Sequence, residues 1–289
     1  MKIIILAFDG LEYNFVKKFD LTSLMQTKYG KTVIPKECYI DTTDPMGNRI
    51  YEPWTPFVWS SFLTGRIPNE IGLTKEAVMA RKWNNRILQF LRELSIKVGL
   101  KNIQNKGWIF KKLGFKLGSH DLSDYRCKTI FGFAKNPYFI NVPTVDGQWG
   151  IRITDKVSTL YQIVDIQWKK YYEIKARTLK AIQSDNWDLF MSYTRLLDIV
   201  GEICYGRTKE VFKAYSEVAS YVAEIKDVLD AEVICIIVSD HGIERFRDTI
   251  YGKHSDYGFY SVNVETDWYP HKITDFFPQI IKWLYNKET

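Results

Sequence analysis

Three short segments of the chain are almost continuously apolar, which is the pattern of strands buried on both faces of a sheet. They are KIIILAF at 2–8, DLFMSYT at 188–194 and VICIIVS at 233–239. The segment 206–230 carries apolar residues at helical spacing, and a second amphipathic helix is predicted over 156–183. Strands that alternate with helices of this length predict an α/β fold: a doubly wound, mostly parallel central sheet with helices on both faces.

Each predicted strand is followed by side chains that bind metals. Asp9 ends the first strand, Asp198 lies shortly after the second, and Asp240 and His241 end the third. Ligand sites of open α/β sheets lie at the carboxyl ends of the strands. A cap or a salt bridge explains most single aspartates at such positions, but the set together is more specific. Carboxylates and imidazoles suit zinc, manganese and related ions, and paired ions of this kind promote phosphoryl transfer.

Composition is that of an ordinary soluble protein, with 46% hydrophobic and 26% charged residues in 289. We expect a single α/β domain over 1–289, with an insertion or cap at about 80–130, where the alternation of strands and helices is weakest. The apolar run after Lys2 is short and ends at Asp9. It is too short for a leader or a spanning helix, so a cytoplasmic location is expected.

Positive charge is concentrated in the predicted insertion. Ten lysines and arginines lie between Arg81 and Lys116 against one acidic residue, Glu93, whereas the whole chain has a formal charge of +6. Aromatic residues interleave with these lysines, which suits an anionic membrane surface or the base and phosphates of a nucleotide. The alternative is a solvated, basic helical pair with core aromatics. No specific recognition of nucleic acid is expected.

The order of motifs along the chain resembles that of the alkaline phosphatase superfamily. The motifs are FDG at 8–10, FLTGRIPNEIG at 62–72, DIVGE at 198–202, SDHG at 239–242, GKHSDYG at 252–258 and ITDFFPQIIKWL at 273–284. Within that superfamily the chain is most similar to the type I phosphodiesterase and nucleotide pyrophosphatase branch. The resemblance reaches both ends of the chain and leaves out only the basic insertion and part of the stretch that follows it.

The resemblance implies two divalent ions, zinc or manganese, with magnesium as a further option. Asp9, Asp240 and His241 are the implied ligands of one ion. Asp198, Glu202 and His254 stand at the ligand positions of the other. The family nucleophile is a Ser or Thr ten residues before the glycine of a TG pair, and counting back from Gly65 leads to Thr55. Thr55, activated through an ion bound to its oxygen, would attack phosphorus and form a phosphothreonine.

The chain departs from the family pattern at two places. The second-ion element normally reads D-x-x-x-H, and Glu202 stands here in place of the histidine. Glutamate can bind zinc, but it adds negative charge and favours harder ions, so either the metal preference changes or the second ion binds weakly. Ile71 and Glu76 occupy positions where the family has a His and an Asn that contacts phosphate. Lys75 is a candidate substrate contact there, with a solvated surface lysine as the alternative.

These features predict a metal-dependent phosphodiesterase or nucleotide pyrophosphatase acting on a small phosphate ester, nucleotide or lipid-linked. A sulfatase is disfavoured, because a threonine cannot be oxidised to the required aldehyde. Two alternatives stay open: a phosphomonoesterase, and a degenerate member that binds a phosphorylated ligand or an anionic surface without turnover. Ser60 and Ser61 are expected in the first turn of a helix whose amino end cradles the phosphate.

Overall fold

Strand β1 (Ile3–Phe8) runs through the middle of the main sheet, and all six of its residues are buried. Ile3, Ile5 and Ala7 belong to one core cluster, and Ile4, Leu6 and Phe8 to the other. Successive side chains of a strand point to opposite faces of the sheet. A strand that is covered on both faces is therefore apolar throughout, which explains the continuous apolar run in the sequence.

The computed structural model describes residues 1–43, 49–75, 128–145, 159–184 and 186–285. The further strands within these ranges are β2 (Lys28–Val33), β3 (Tyr39–Thr43), β4 (Arg49–Pro53), β5 (Pro137–Ile140), β6 (Leu189–Thr194), β7 (Ile234–Val238), β8 (Ile243–Arg245), β9 (Gly252–His254) and β10 (Tyr257–Val262). The helices are α1 (Tyr13–Lys18), α2 (Thr55–Thr64), α3 (Leu160–Ile182), α4 (Leu196–Cys204), α5 (Thr208–Val228) and α6 (Phe276–Tyr285).

The main sheet has six strands in the order β2-β10-β7-β1-β6-β5. β1 is parallel to both of its neighbours, β6 and β7, and β5 is parallel to β6. β10 is antiparallel to both of its neighbours, β7 and β2. Two pairs of short antiparallel strands, β3–β4 and β8–β9, lie outside this sheet.

Helices cover both faces of the sheet. Buried side chains of α3, α4 and α5 form one core with β1, and those of α2 and α6 form the other. The prediction of an α/β fold with a mostly parallel sheet and helices on both faces is thus confirmed. The three predicted strands and the two predicted helices are present, with ends within a few residues of the expected ones.

The basic stretch 81–116, predicted to form a helical insertion, lies outside the described residues. The extent of the insertion and the single domain over 1–289 therefore stay predictions. None of the helices in the described ranges combines the length and the apolar character that a bilayer crossing requires.

Candidate active site

Four buried side chains meet at the carboxyl ends of three neighbouring strands. Asp9 follows β1, Asp198 lies in the first turn of α4 just after β6, and Asp240 and His241 follow β7. All four are completely buried. Because β1 lies between β6 and β7, residues far apart in the chain come together at one edge of the sheet, as the sequence predicted.

The first group of ligand atoms surrounds Nε2 of His241. This nitrogen lies 3.1 Å from Oδ1 of Asp9 and 3.4 Å from Oδ2 of Asp240. One ligand atom from each of these three residues lies within 4.8 Å of the others, close enough for a single cation to bind all three. The group matches the ligand set that the sequence predicts for one ion.

The second group surrounds Nε2 of His254. This nitrogen lies 3.5 Å from Oδ1 of Asp198 and 3.3 Å from Oε1 of Glu202. His254 comes from β9, and its partner strand β8 begins two residues after His241. Glu202 is the most exposed member, with 37% of its side chain accessible. The ligand atoms that lie within 4.8 Å of one another here belong to Asp198, His254 and His241. Glu202 contacts His254 at the edge of this group, so its role as a ligand of the second ion stays a prediction.

Each of the two histidines has one ring nitrogen that is hydrogen-bonded to a backbone carbonyl. Nδ1 of His241 lies 3.1 Å from the carbonyl oxygen of Gly242, and Nδ1 of His254 lies 2.9 Å from that of Pro53. A carbonyl oxygen can only accept, so the facing nitrogen donates and carries the proton in each neutral ring. The lone pair is then on Nε2, which points into the cluster, as in histidines that bind metals.

The cluster contains an unusual concentration of buried polar atoms without a hydrogen-bond partner. Among the described residues ten side-chain atoms are of this kind, and five belong to the cluster: Oδ1 of Asp9, Oδ1 of Asp198, both carboxylate oxygens of Asp240, and Nε2 of His254. Such an atom costs about 1–3 kcal/mol when it is left unpaired. All five are lone-pair donors, and their residues belong to the two groups whose ligand atoms lie within 4.8 Å of one another, an arrangement that divalent cations satisfy. The residues present therefore fit a metal centre.

Two residues that the sequence did not predict, Tyr193 and Arg195, bind the carboxylate oxygens that face away from the histidines. The Tyr193 hydroxyl donates to Oδ2 of Asp9, and Nε of Arg195 donates to Oδ2 of Asp198 at 2.7 Å. Arg195 Nε also lies 3.6 Å from Oδ2 of Asp9. Each aspartate thus has one oxygen held in place and the other facing a histidine. The only signal in the sequence was the proximity of Tyr193 and Arg195 to Asp198.

Hydrogen bonds also fix the loop that carries Asp240 and His241. The Ser239 hydroxyl accepts from the Leu11 amide at 2.9 Å and donates to the His241 carbonyl at 2.6 Å. Just beyond the loop, the Ile243 amide donates to Oε2 of Glu12 at 3.0 Å. These hydrogen bonds join the segment after β1 to the segment after β7 on both sides of His241. They restrict the position of the His241 ring.

The titration of the cluster reflects its excess of carboxylates. Burial and the charge of Asp9 raise the pKa of Asp240. Burial opposes the charged form of His254, but contacts with Asp198 and Glu202 outweigh it and raise the pKa of the ring. For Asp198 the effect of burial is outweighed by Arg195, which leaves its pKa below the usual range. A cation bound in the cluster would neutralise the negative charge that raises the pKa of Asp240 and His254.

Thr55 is the first residue of α2 and is only 4% exposed. Its Oγ1 lies 3.4 Å from Nε2 of His241, at the edge of the first ligand group. The dipole of a helix places a partial positive charge at its amino end, which favours a bound anion. A hydroxyl at this end of α2 is therefore placed where a phosphoryl group and the ligand cluster meet.

The expectation that Ser60 and Ser61 open the helix is wrong, because α2 begins at Thr55. The Ser60 hydroxyl donates to the Phe57 carbonyl at 2.8 Å, and Oγ of Ser61 lies 3.4 Å from the sulfur of Cys38. Both serines are completely buried in the second turn. Neither hydroxyl is available to a substrate at the amino end of the helix.

Lys75 donates from its ammonium group to the Asp41 carbonyl at 2.7 Å. This contact lies on the surface and accounts for its position without a substrate. The predicted role in substrate binding stays a prediction. Glu76, at the position of the family's phosphate-contacting asparagine, lies outside the described residues.

The family model described as type I phosphodiesterase / nucleotide pyrophosphatase matches residues 3–260. No curated protein matches the chain.

Solved structures with a similar fold include murine ectonucleotide pyrophosphatase/phosphodiesterase 5, at 14% identity and a TM-score of 0.44 over 86% of this chain. Phosphonoacetate hydrolase from Sinorhizobium meliloti 1021, in complex with phosphonoformate, gives 13% identity and a TM-score of 0.46 over 84% of this chain. The matches cover 59% and 57% of those two chains, respectively.

Proposed function

The chain belongs to the type I phosphodiesterase / nucleotide pyrophosphatase family, and from this premise we propose that it is a metal-dependent phosphodiesterase or nucleotide pyrophosphatase that uses Thr55 as its nucleophile. The observation that supports this most is the 3.4 Å contact between Oγ1 of Thr55 and Nε2 of His241. It joins a buried hydroxyl at a helix amino end to a cluster of unpaired ligand atoms. This combination suits phosphoryl transfer.

Two sets of residues would hold two divalent ions. Asp9, Asp240 and His241 would bind one ion, and Asp198, Glu202 and His254 would bind the other. Bound ions supply Lewis acidity, which lowers the pKa of a coordinated hydroxyl or water and offsets charge on the phosphoryl oxygens. Glu202 adds an oxygen ligand to the second set, which favours manganese or magnesium over zinc at that position.

The chemistry of the chain's own residues follows from this arrangement. Oγ1 of Thr55 attacks phosphorus, a new P–O bond forms, the bond to the leaving alcohol or phosphate breaks, and the Thr55 proton passes through solvent to the leaving oxygen. The product is a phosphothreonine that keeps the second ester group of a diester substrate. Water then attacks the same phosphorus, and the bond to Thr55 breaks, which restores the hydroxyl. The amino end of α2 favours the negative charge of the phosphoryl oxygens in both steps.

The proposed substrate is a small phosphodiester, either a nucleotide derivative or a lipid-linked phosphate. Attack by a threonine needs only the phosphoryl group and a leaving oxygen, so the catalytic residues accept either source. The basic stretch 81–116 is the proposed determinant of substrate choice, because its lysines and aromatic residues suit both a nucleotide and an anionic lipid surface.

Hydrolysis of two model esters tests the proposal. Metal-stripped protein is assayed with bis-p-nitrophenyl phosphate and p-nitrophenyl phosphate after addition of zinc, manganese or magnesium. We expect faster turnover of the diester, with the highest rate in manganese, and a p-nitrophenyl phosphate adduct on Thr55 in mass spectra of enzyme that is acid-quenched during diester turnover. Preference for the monoester would indicate a phosphomonoesterase. Ion binding without turnover of either ester would indicate the non-catalytic binding function instead.

A further inference from the structure

The guanidinium of Arg195 contacts aspartates of both ligand sets. Nε of Arg195 is 2.7 Å from Oδ2 of Asp198 and 3.6 Å from Oδ2 of Asp9, and its side chain is 20% exposed. Asp198 belongs to the proposed second set and Asp9 to the first. The residue directly precedes α4, so the same turn of chain delivers both Arg195 and Asp198. An arginine stays protonated at any pH the protein meets, so its charge is permanent.

The charge of the cluster explains why such a cation is useful here. The two ligand sets contain four carboxylates: Asp9, Asp198, Asp240 and Glu202. A site with the family's histidine in place of Glu202 has three, because a histidine ligand is neutral. Four carboxylates and one guanidinium carry the same net charge as three carboxylates alone. Two divalent ions then leave the loaded centre with one positive charge in either case.

We propose that Arg195 is the charge counterpart of Glu202, a positioning residue that offsets the additional carboxylate and keeps the loaded centre positive enough to bind an anionic phosphoryl group. The inference rests on the proposed function, because it concerns the same pair of ion sites. It adds that residues 195 and 202 act together: the glutamate selects a harder ion, and the arginine restores the charge balance that the glutamate disturbs.

The geometry favours this role over a purely structural one. The contacts of Arg195 with Asp9 and Asp198 go to the oxygens that face away from the histidines, while Oδ1 of both residues stays available to a cation. Both carboxylates receive the compensating charge, although only the second set has the additional glutamate. A change at residue 195 is therefore expected to alter both ion sites.

A double-mutant cycle on metal-stripped protein tests the pairing. The four proteins are the wild type, Arg195→Met, Glu202→His and the double variant, and thermal or urea unfolding gives their stabilities. We expect the Arg195→Met change to shift the unfolding equilibrium at least about fivefold more with Glu at 202 than with His. Equal shifts in the two backgrounds would overturn the pairing, since a residue that only orients Asp198 does not sense residue 202.

Binding of inorganic phosphate to the manganese-saturated proteins is the second measurement. We expect affinity to fall about tenfold in Arg195→Met and to rise in Glu202→His, because the two changes alter the charge of the loaded centre in opposite directions. Arg195→Lys keeps the charge, and we expect its phosphate affinity within about threefold of the wild type. An unchanged affinity in both Arg195→Met and Glu202→His would overturn the proposal, as would a tenfold loss in Arg195→Lys.

Lys175→Met is a matched control, because Lys175 also bridges two carboxylates, Glu217 and Glu224, at 3.0 and 2.8 Å, on helices away from the cluster. Its effect on unfolding is expected to be the same with Glu or His at residue 202. Wild-type protein that binds no divalent ion would overturn both this inference and the proposed function. Ion binding and ester hydrolysis with equal shifts in the cycle would overturn the inference alone.

Discussion

The imidazole rings of His241 and His254 stack on each other, with centroids 3.6 Å apart and 16° between their planes. Each ring donates from Nδ1 to a backbone carbonyl and presents Nε2 to its own group of carboxylates. The stack therefore joins the two proposed ion sites directly. Two protonated rings at this distance would repel each other, whereas two neutral rings that bind cations through Nε2 would not.

Removal of the Thr55 hydroxyl is expected to abolish turnover with little effect on folding. Thr55→Ala should reduce the rate of diester hydrolysis by at least about a thousandfold, because no other residue is proposed to attack phosphorus. Thr55→Ser should retain activity within about tenfold and should still form a p-nitrophenyl phosphate adduct. The measurement is the initial rate with manganese-loaded enzyme. Thr64→Ala is the control and should keep its activity, because Thr64 is buried in the same helix, where it donates to the Ser60 carbonyl. Full activity in Thr55→Ala would contradict the mechanism.

Loss of His254 is expected to remove one ion and leave the other. His254 is the only imidazole proposed for the second set, whereas the first set keeps all three of its ligands. Elemental analysis of purified His254→Ala should give about one divalent ion per chain, against about two for the wild type. His271→Ala, at an exposed histidine, should retain both. Two ions per chain in His254→Ala would show that the second site lies elsewhere.

Chelation is expected to lower the melting temperature and manganese to restore it. Ion binding stabilises the folded chain by about 2.7 kcal/mol when the free ion is at a hundred times its dissociation constant, which corresponds to a shift of about 5 °C or more for a chain of this size. Differential scanning fluorimetry measures the shift. Asp240→Asn should lose the metal-dependent shift in melting temperature. Asp248→Asn, at an exposed acidic residue, should keep this shift. The same melting temperature with and without ions in the wild type would contradict the metal centre.

Substitution of Gly10 is expected to damage both stability and the site. Gly10 has a φ of +73°, and a Cβ there would lie 2.6 Å from Cα of Asp198. Gly72 has a similar φ of +70° but open space around the same position. Gly72→Ala should therefore cost about 1–2 kcal/mol from backbone strain alone, and Gly10→Ala about 2 kcal/mol more, with loss of turnover. Urea unfolding of both variants measures the difference, and equal costs would refute the role of close packing against Asp198.

Glu12 is expected to make the folded state less stable as pH rises. Burial raises the pKa of this carboxyl above its usual value despite its hydrogen bonds. Between the unfolded pKa of about 4.3 and the raised folded value, the folded chain holds a proton that the unfolded chain has released, so stability falls with increasing pH, by at most about 1.4 kcal/mol per pH unit.

The Glu12→Gln variant should lack this contribution. The stability of the wild type relative to Glu12→Gln is therefore expected to decrease between pH 4.5 and about pH 7. Urea unfolding in the presence of chelator measures both proteins across this range. A relative stability that rises with pH would mean that the Glu12 carboxyl is stabilised, rather than destabilised, in its charged form.

The sequence predicted those parts of the fold that depend on local patterns. The residues of β1, β6 and β7 are mostly apolar because both faces of each strand are covered. Asp9 follows β1, and Asp240 and His241 lie just after β7. The start of α2 gave no comparable signal. Trp54 provides no side-chain cap, and Thr55 precedes a proline, which normally favours extended backbone.

The supporting residues could not be predicted because their roles depend on contacts between distant segments. Glu12 binds the Ile243 amide across 231 positions of sequence, and Tyr193 reaches Asp9 across 184. No local periodicity encodes such pairs. Glu202 could be identified only because the resemblance to a family provided a position for it, and its partner Arg195 became visible only from the distance to Asp198.

The alignment of three strand ends has a consequence for synthesis of the protein on the ribosome. Asp9 leaves the exit tunnel well before His254, which belongs to β9. A nascent chain that stops just before β9 contains Asp9, Asp240 and His241 but lacks His254, the imidazole of the second proposed set. The second set is therefore expected to form only after β9 has been translated, and shorter products should bind one divalent ion at most.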